Sequence, residues 1–135
     1  LPIYGGNSFK PYIRDLGMTF PDFRVVVADW YGIVPTGEYF EEKPDEHAGE
    51  QETSVMLHYH PGLVAMEQAG DGSVSPSKIA AIDKKIGWMP RHWDEISSDT
   101  GIGNPKKSTA EKGARYVLAV TEKIRELLVD LKEAP

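Results

Sequence analysis

Three consecutive valines constrain this chain more than any other feature. Phe23-Arg24-Val25-Val26-Val27-Ala28-Asp29-Trp30 runs without apolar alternation, the pattern of a strand buried on both faces, as in the middle of a parallel sheet. Parallel strands need crossover helices, so the run predicts an α/β chain. Asp29 and Trp30 then fall at the C-terminal end of that strand, the edge where open α/β sheets bind ligands. Upstream, Leu1-Pro2-Ile3-Tyr4 reads as the end of another buried strand and Gly5-Gly6-Asn7-Ser8 as a turn. Phe9, Tyr12, Ile13 and Leu16 follow at helical spacing, with Pro11 in the first turn and Gly17 as the stop. Strand, glycine turn and helix make half of a βαβ unit. A chain opening at Leu1 at the end of a strand is expected to be the C-terminal portion of a longer protein, or one piece of a cleaved one.

Further along, residues 32–44 read as a loop and a candidate lid. A helix is predicted from Gly49 or Glu50 to His60, where Pro61-Gly62 stops it; Met56, Leu57 and His60 would share its inward side. Leu63 and Val64 begin a short extended piece. Residues 69–99 read as an irregular excursion with one short helix, and residues 98–107 as turn-rich. Ser108-Thr109-Ala110-Glu111 fits a capping box, with the Ser108 hydroxyl on an exposed backbone N–H and Glu111 reaching back. Val117, Val120, Ile124, Leu127, Leu128 and Leu131 then form one apolar stripe, predicting a surface helix packed on a sheet.

At 135 residues the chain fits one domain. Its net charge of −6 and lack of a basic run argue against nucleic acid as a partner. No apolar stretch is long enough for a membrane span, and no signal-peptide pattern is present. Without cysteine there is no disulfide framework, zinc-thiolate site or thiol nucleophile. A cytoplasmic setting is the default expectation.

Chemistry is expected first at Asp45-Glu46-His47-Ala48-Gly49-Glu50-Gln51-Glu52-Thr53-Ser54. Histidine and carboxylates ligate zinc or manganese, and either can move protons. Glu52 would sit in the first helical turn, where the helix dipole favours its ionised form, with His47 in the entry turn. The alternative is structural: Asp45 or Glu46 caps the helix, His47 packs and Glu52 is a solvated charge. Spacing alone favours that alternative. Gly5-Gly6-Asn7 could admit an anion to the backbone or be only a tight turn. His58, His60 and His92 show no paired-ligand spacing, and Thr53 and Ser54 read as structural. Of the tryptophans, Trp88 and Trp93 read as core, while Trp30 ends the predicted strand and is a candidate pocket wall.

His47-Ala48-Gly49-Glu50-Gln51-Glu52-Thr53-Ser54, followed by Met56-Leu57 and Pro61-Gly62-Leu63-Val64, resembles the creatininase (creatinine amidohydrolase) family. Gly5-Gly6-Asn7 before a helix resembles that family's Asn-Gly-His-Gly-Gly-Asn turn. Thr100-Gly101-Ile102-Gly103-Asn104-Pro105 with Thr109-Ala110-Glu111-Lys112-Gly113 resembles its C-terminal stretch. The resemblance spans nearly the whole chain and about the C-terminal half of a usual member.

The resemblance implies a three-layer α/β/α sandwich with a largely parallel sheet, incomplete in this chain. It implies a metal-dependent amidohydrolase acting on the C–N bond of a small amide or cyclic amide, with zinc or manganese as cofactor. His47 matches the catalytic histidine, Glu46 its acidic neighbour and Glu52 a candidate metal ligand. Trp30, Tyr4, Gly5, Gly6 and Asn7 would line the substrate side. Metal-activated water would attack the amide carbon, with His47 assisting proton transfer. Homo-oligomers, or association with a missing N-terminal half, are expected. The chain departs from the family at Tyr4, where a metal-binding histidine is usual, and at Gly6, where creatininase carries a glutamate. No tryptophan stands just before His47, as one does in creatininase. The remaining family ligands lie in a half this chain does not contain. The other reading is a metal-free protein of the same fold that serves as a binding or assembly subunit.

Overall fold

The computed structural model describes residues 9–134. The helices in chain order are α1 (Lys10–Thr19), α2 (Glu50–Tyr59), α3 (Ala80–Asp83), α4 (Trp93–Ile96) and α5 (Ala110–Glu133), joined by loops and short 3-10 turns. The expected Leu1–Tyr4 strand and the Gly5-Gly6-Asn7 turn lie outside the described residues.

The framework is α2 laid against α5. Gly113 makes this possible: a Cβ there would stand 2.0 Å from the Ser54 carbonyl oxygen, so only glycine lets the two backbones meet so closely. At this crossing Ser54 is fully buried, and its hydroxyl accepts the Thr109 N–H at 3.2 Å. Phe40, Tyr116 and Val120 form the core, with Trp30, Ile33, Val34, Tyr39, Val55 and Ile124 packed around them. Tyr116 is its centre, with edge-on ring contacts to Phe40 at 5.1 Å, Tyr39 at 5.4 Å and Trp30 at 6.1 Å between centroids. Its hydroxyl donates to the Trp30 carbonyl at 3.1 Å and accepts from Gln51 Nε2 at 2.8 Å. The phenol therefore enters the core with its polar end satisfied.

The expected α/β/α sandwich is not what the described residues form. They contain no strand; the only β-type pairing among them is an isolated antiparallel bridge between His47 and Ile102. The valine run is irregular, with Phe23, Val25 and Val26 at 70, 43 and 48% exposure. The physical reason is that a strand exists through its neighbour. Among the described residues, no backbone hydrogen bond reaches residues 25–28.

Three further expectations change. Helix α1 runs through Gly17 to Thr19, because an isolated glycine costs a helix only about 1 kcal/mol. Thr109, not Ser108, caps α5: its hydroxyl accepts the Lys112 N–H at 3.1 Å. The Ser108 hydroxyl instead donates to the Glu50 carbonyl at 3.2 Å. The buried side of α2 is polar, Glu50, Gln51 and Ser54, while Met56 is 40% exposed and His60 is exposed. Helix α2 itself begins and ends as its sequence predicts, at Glu50 and Tyr59 with His60 as C-cap.

Candidate functional site

The entry to α2 is built by reciprocal capping. Asp45 Oδ2 accepts the Gln51 N–H at 2.8 Å, occupying one of the unpaired donors of the first turn. Glu52 Oε2 reaches back to the Ala48 N–H at 2.7 Å. The Thr53 hydroxyl donates to the Ala48 carbonyl at 3.2 Å. Ala48 is held in the left-handed region at φ 49°, an uncommon state for a residue with a Cβ. Gly49 is required beside it, since a Cβ would stand 2.1 Å from Asp45 Oδ1. This kinked turn places His47 Nδ1 3.7 Å from Glu52 Oε2.

The electrostatics follow from burial. Burial pushes the Glu52 carboxyl up, against the opposing Ala48 hydrogen bond. Burial pushes the His47 imidazole below its ordinary value of 6.5, and the Arg91 charge adds to the effect, so His47 is neutral at pH 7. Burial raises Asp45 to about 6, against the Gln51 hydrogen bond, with repulsion from Glu50, Glu52 and Glu42 adding to the rise.

His47 is held from two sides. Its backbone exchanges hydrogen bonds with Ile102, N–H to carbonyl at 3.1 Å and the reverse at 2.8 Å, and the Glu46 N–H also reaches the Ile102 carbonyl at 2.8 Å. The segment carrying Ile102 needs its glycines. Gly103 sits at φ 116°, and a Cβ there would stand 2.7 Å from the Pro44 carbonyl oxygen. Asp99 fastens this turn, accepting from Gly101 N–H at 2.9 Å and Gly72 N–H at 3.1 Å. These two bonds hold its carboxyl below the usual carboxylate range. Against the imidazole lies Trp93, its ring 4.9 Å from that of His47. The Arg91 guanidinium stands 5.7 Å over the Trp93 ring and pairs with Glu46.

Thus His47, Glu46 and Glu52 come together, with Trp93 and Arg91 added from a distant segment. Trp30 is placed in the Tyr116 core and lines an apolar groove of about 280 Å³ with Val55, Tyr59, Val117, Val120 and Thr121. The ring beside His47 is that of Trp93, which the sequence places in the core. Tyr4, Gly5, Gly6 and Asn7 lie outside the described residues. Glu50, singled out for no role, is fully buried. Its Oε2 accepts the Glu41 and Glu42 N–H groups at 2.7 and 2.8 Å, and its other oxygen pairs with Lys112. The only sequence signal for this clamp was that both residues stand inside the quoted motifs.

A divalent metal does not fit the described residues by themselves. His47 and Glu52 offer two donors, whereas a closed zinc site takes four and a catalytic one three with water. Among the described residues no group of three His, Asp or Glu side chains could hold an ion. No described helix is long and apolar enough to cross a membrane.

Comparison with known proteins agrees with the resemblance. The family model for Creatininase, creatinine amidohydrolase, matches residues 4–128. A crystal structure of a candidate creatinine amidohydrolase from Bacteroides fragilis is 50% identical, with a TM-score of 0.92, over 98% of this chain and 52% of that one. A creatininase variant of the Zn-Zn type is 20% identical with a TM-score of 0.66, over 94% of this chain and 50% of that one, which speaks to the fold alone. A mycofactocin precursor peptide peptidase from Mycobacterium tuberculosis is 33% identical over 79 residues, 58% of this chain and 30% of its own length. The chain thus spans about half of the solved relative and under a third of the curated one. On the family match, the chain belongs to the creatininase family.

Proposed function

We propose that the entry of α2 is the proton-transfer part of a site that hydrolyses an amide C–N bond. The observation that carries this is the placement of His47: its imidazole faces Glu52 at 3.7 Å, is fixed through its backbone to Ile102, and is held toward the neutral form by burial. A neutral imidazole can take the proton of an attacking water and return it to the departing nitrogen. Glu52, raised by burial and facing Nδ1, would stabilise the imidazolium once it forms. Glu46 holds Arg91, whose charge acts on the imidazole. Trp30 is the candidate wall of the apolar groove next to α2. A divalent metal is supported in the family by the Zn-Zn creatininase. Because the described residues make no complete ligand set, no step is routed through it.

Two substrate classes are suggested by the relatives' names, a cyclic amide such as creatinine and a peptide bond. Incubating the protein with creatinine, and separately with a short unstructured peptide, and following release of the new amine or carboxylate, tests the proposal. Turnover of either supports it. No turnover of both, with no stoichiometric divalent metal by elemental analysis, would favour the binding or assembly subunit instead.

A further inference from the structure

We infer that Trp93 and Arg91 are positioning residues for His47 and Glu46, a role that rests on the proton-transfer function proposed for His47. Four side chains close a ring. Glu46 and His47 are consecutive; Arg91 pairs with Glu46, stands 5.7 Å over Trp93, and Trp93 lies 4.9 Å from His47. The segment that carries Trp93 also leads into the turn that holds the His47 backbone. Helix α4 ends at Ile96; the next side chain, Ser97, shares its single hydroxyl proton between the Gly101 carbonyl at 2.8 Å and Asp99 Oδ1 at 3.0 Å. Ile102 follows and pairs with His47. Residues 93–102 therefore set both ends of one residue, backbone through Ile102 and ring through Trp93.

An imidazole held only by its backbone turns about its side-chain torsions. A large aromatic ring at contact distance, here tilted 55° to the imidazole, removes most of that freedom. Arg91 suits the outer position because a planar guanidinium stacks on a ring while pairing with a carboxylate, which a lysine ammonium does not reproduce. Arg91 is 42% exposed on its side chain and Glu46 51%, so this pair contributes geometry more than stability.

The test reads His47 directly. The chain has four histidines, and the His47 ring-proton signals are identified by their loss in His47→Gln. In Trp93→Ala these signals should lose their ring-current displacement and broaden. On whichever probe the protein turns over, kcat should fall about 10- to 100-fold with KM little changed. Trp93→Phe should restore most of both. Arg91→Lys should move the same signals by a smaller amount. Unmoved His47 signals in a folded Trp93→Ala protein would overturn the inference, as would a folded Trp93→Phe that behaves like Trp93→Ala. If Trp93→Ala does not fold, Arg91→Lys decides: shifted signals support the ring and unshifted ones refute it. Shifted signals in a protein that turns over neither probe would keep the positioning role and remove the catalytic one.

Discussion

Asp45 is under two opposed demands. Its carboxylate caps α2 through the Gln51 N–H, yet burial and neighbouring carboxylates raise it to about 6 from 3.8. A carboxyl raised in the folded state favours the protonated form. Its contribution to stability is fully present below 3.8 and is lost as pH rises through about 6. Asparagine keeps an acceptor for the Gln51 N–H and carries no charge. Asp45→Asn should therefore melt higher than the native protein at pH 7, and the gap should close by about pH 4. Thermal melts across that range check this; a native protein more stable than Asp45→Asn at pH 7 would mean the charged cap outweighs burial. Asp45 also bears on the two readings that spacing left open. It is the cap the structural alternative required, but Glu52 is half-buried against His47 rather than solvated. A cap and the His47–Glu52 pair share one turn, and single-residue spacing cannot separate them.

At the scale of elements, the α2–α5 crossing depends on Gly113 and on the Glu50–Lys112 clamp. Gly113→Ala gains about 1 kcal/mol of helix propensity, but its Cβ would meet backbone at 2.0 Å. The helices must separate, and a net loss of about 1–3 kcal/mol is expected in denaturant unfolding. Glu50→Ala strands the Lys112 ammonium, which then keeps only Glu41 Oε1 at 3.4 Å and the Lys107 carbonyl at 3.1 Å. It also leaves the Glu41 and Glu42 N–H groups without their acceptor. A loss of about 3–5 kcal/mol is expected from the same measurement; a loss under about 1 kcal/mol would show that the clamp is not structural. The extents of helices α2 and α5 were legible because helices are local, with their starts and stops written within a dozen residues. Their packing was not, since α2 buries polar residues, α5 packs on α2 rather than on a sheet, and Leu128 of its stripe is 60% exposed. The valine run was misleading because a strand needs partners that local sequence does not supply. The Glu50–Lys112 and Trp93–His47 contacts were illegible for a related reason: they join residues far apart in sequence, and neither partner's neighbours announce the other.

For the whole molecule, two motifs that resemble the creatininase family acquire a physical meaning together. The His47–Ser54 stretch builds the kinked entry of α2, and the Thr100–Pro105 stretch supplies Ile102, its backbone partner. The capping residue and glycine that follow, Thr109 and Gly113, set how α5 meets α2. Family membership was therefore more legible than fold: the family's motifs are short and dense, whereas the expected sheet finds no paired strands among the described residues. The central claim is that His47 moves protons rather than packs. It is tested most directly by His47→Gln, comparing kcat with the melting temperature in the same preparation. The account predicts a loss of at least about 100-fold in kcat with a melting temperature within a few degrees of the native protein. Retained turnover, or a kcat loss matched by an equivalent loss of stability, would contradict it.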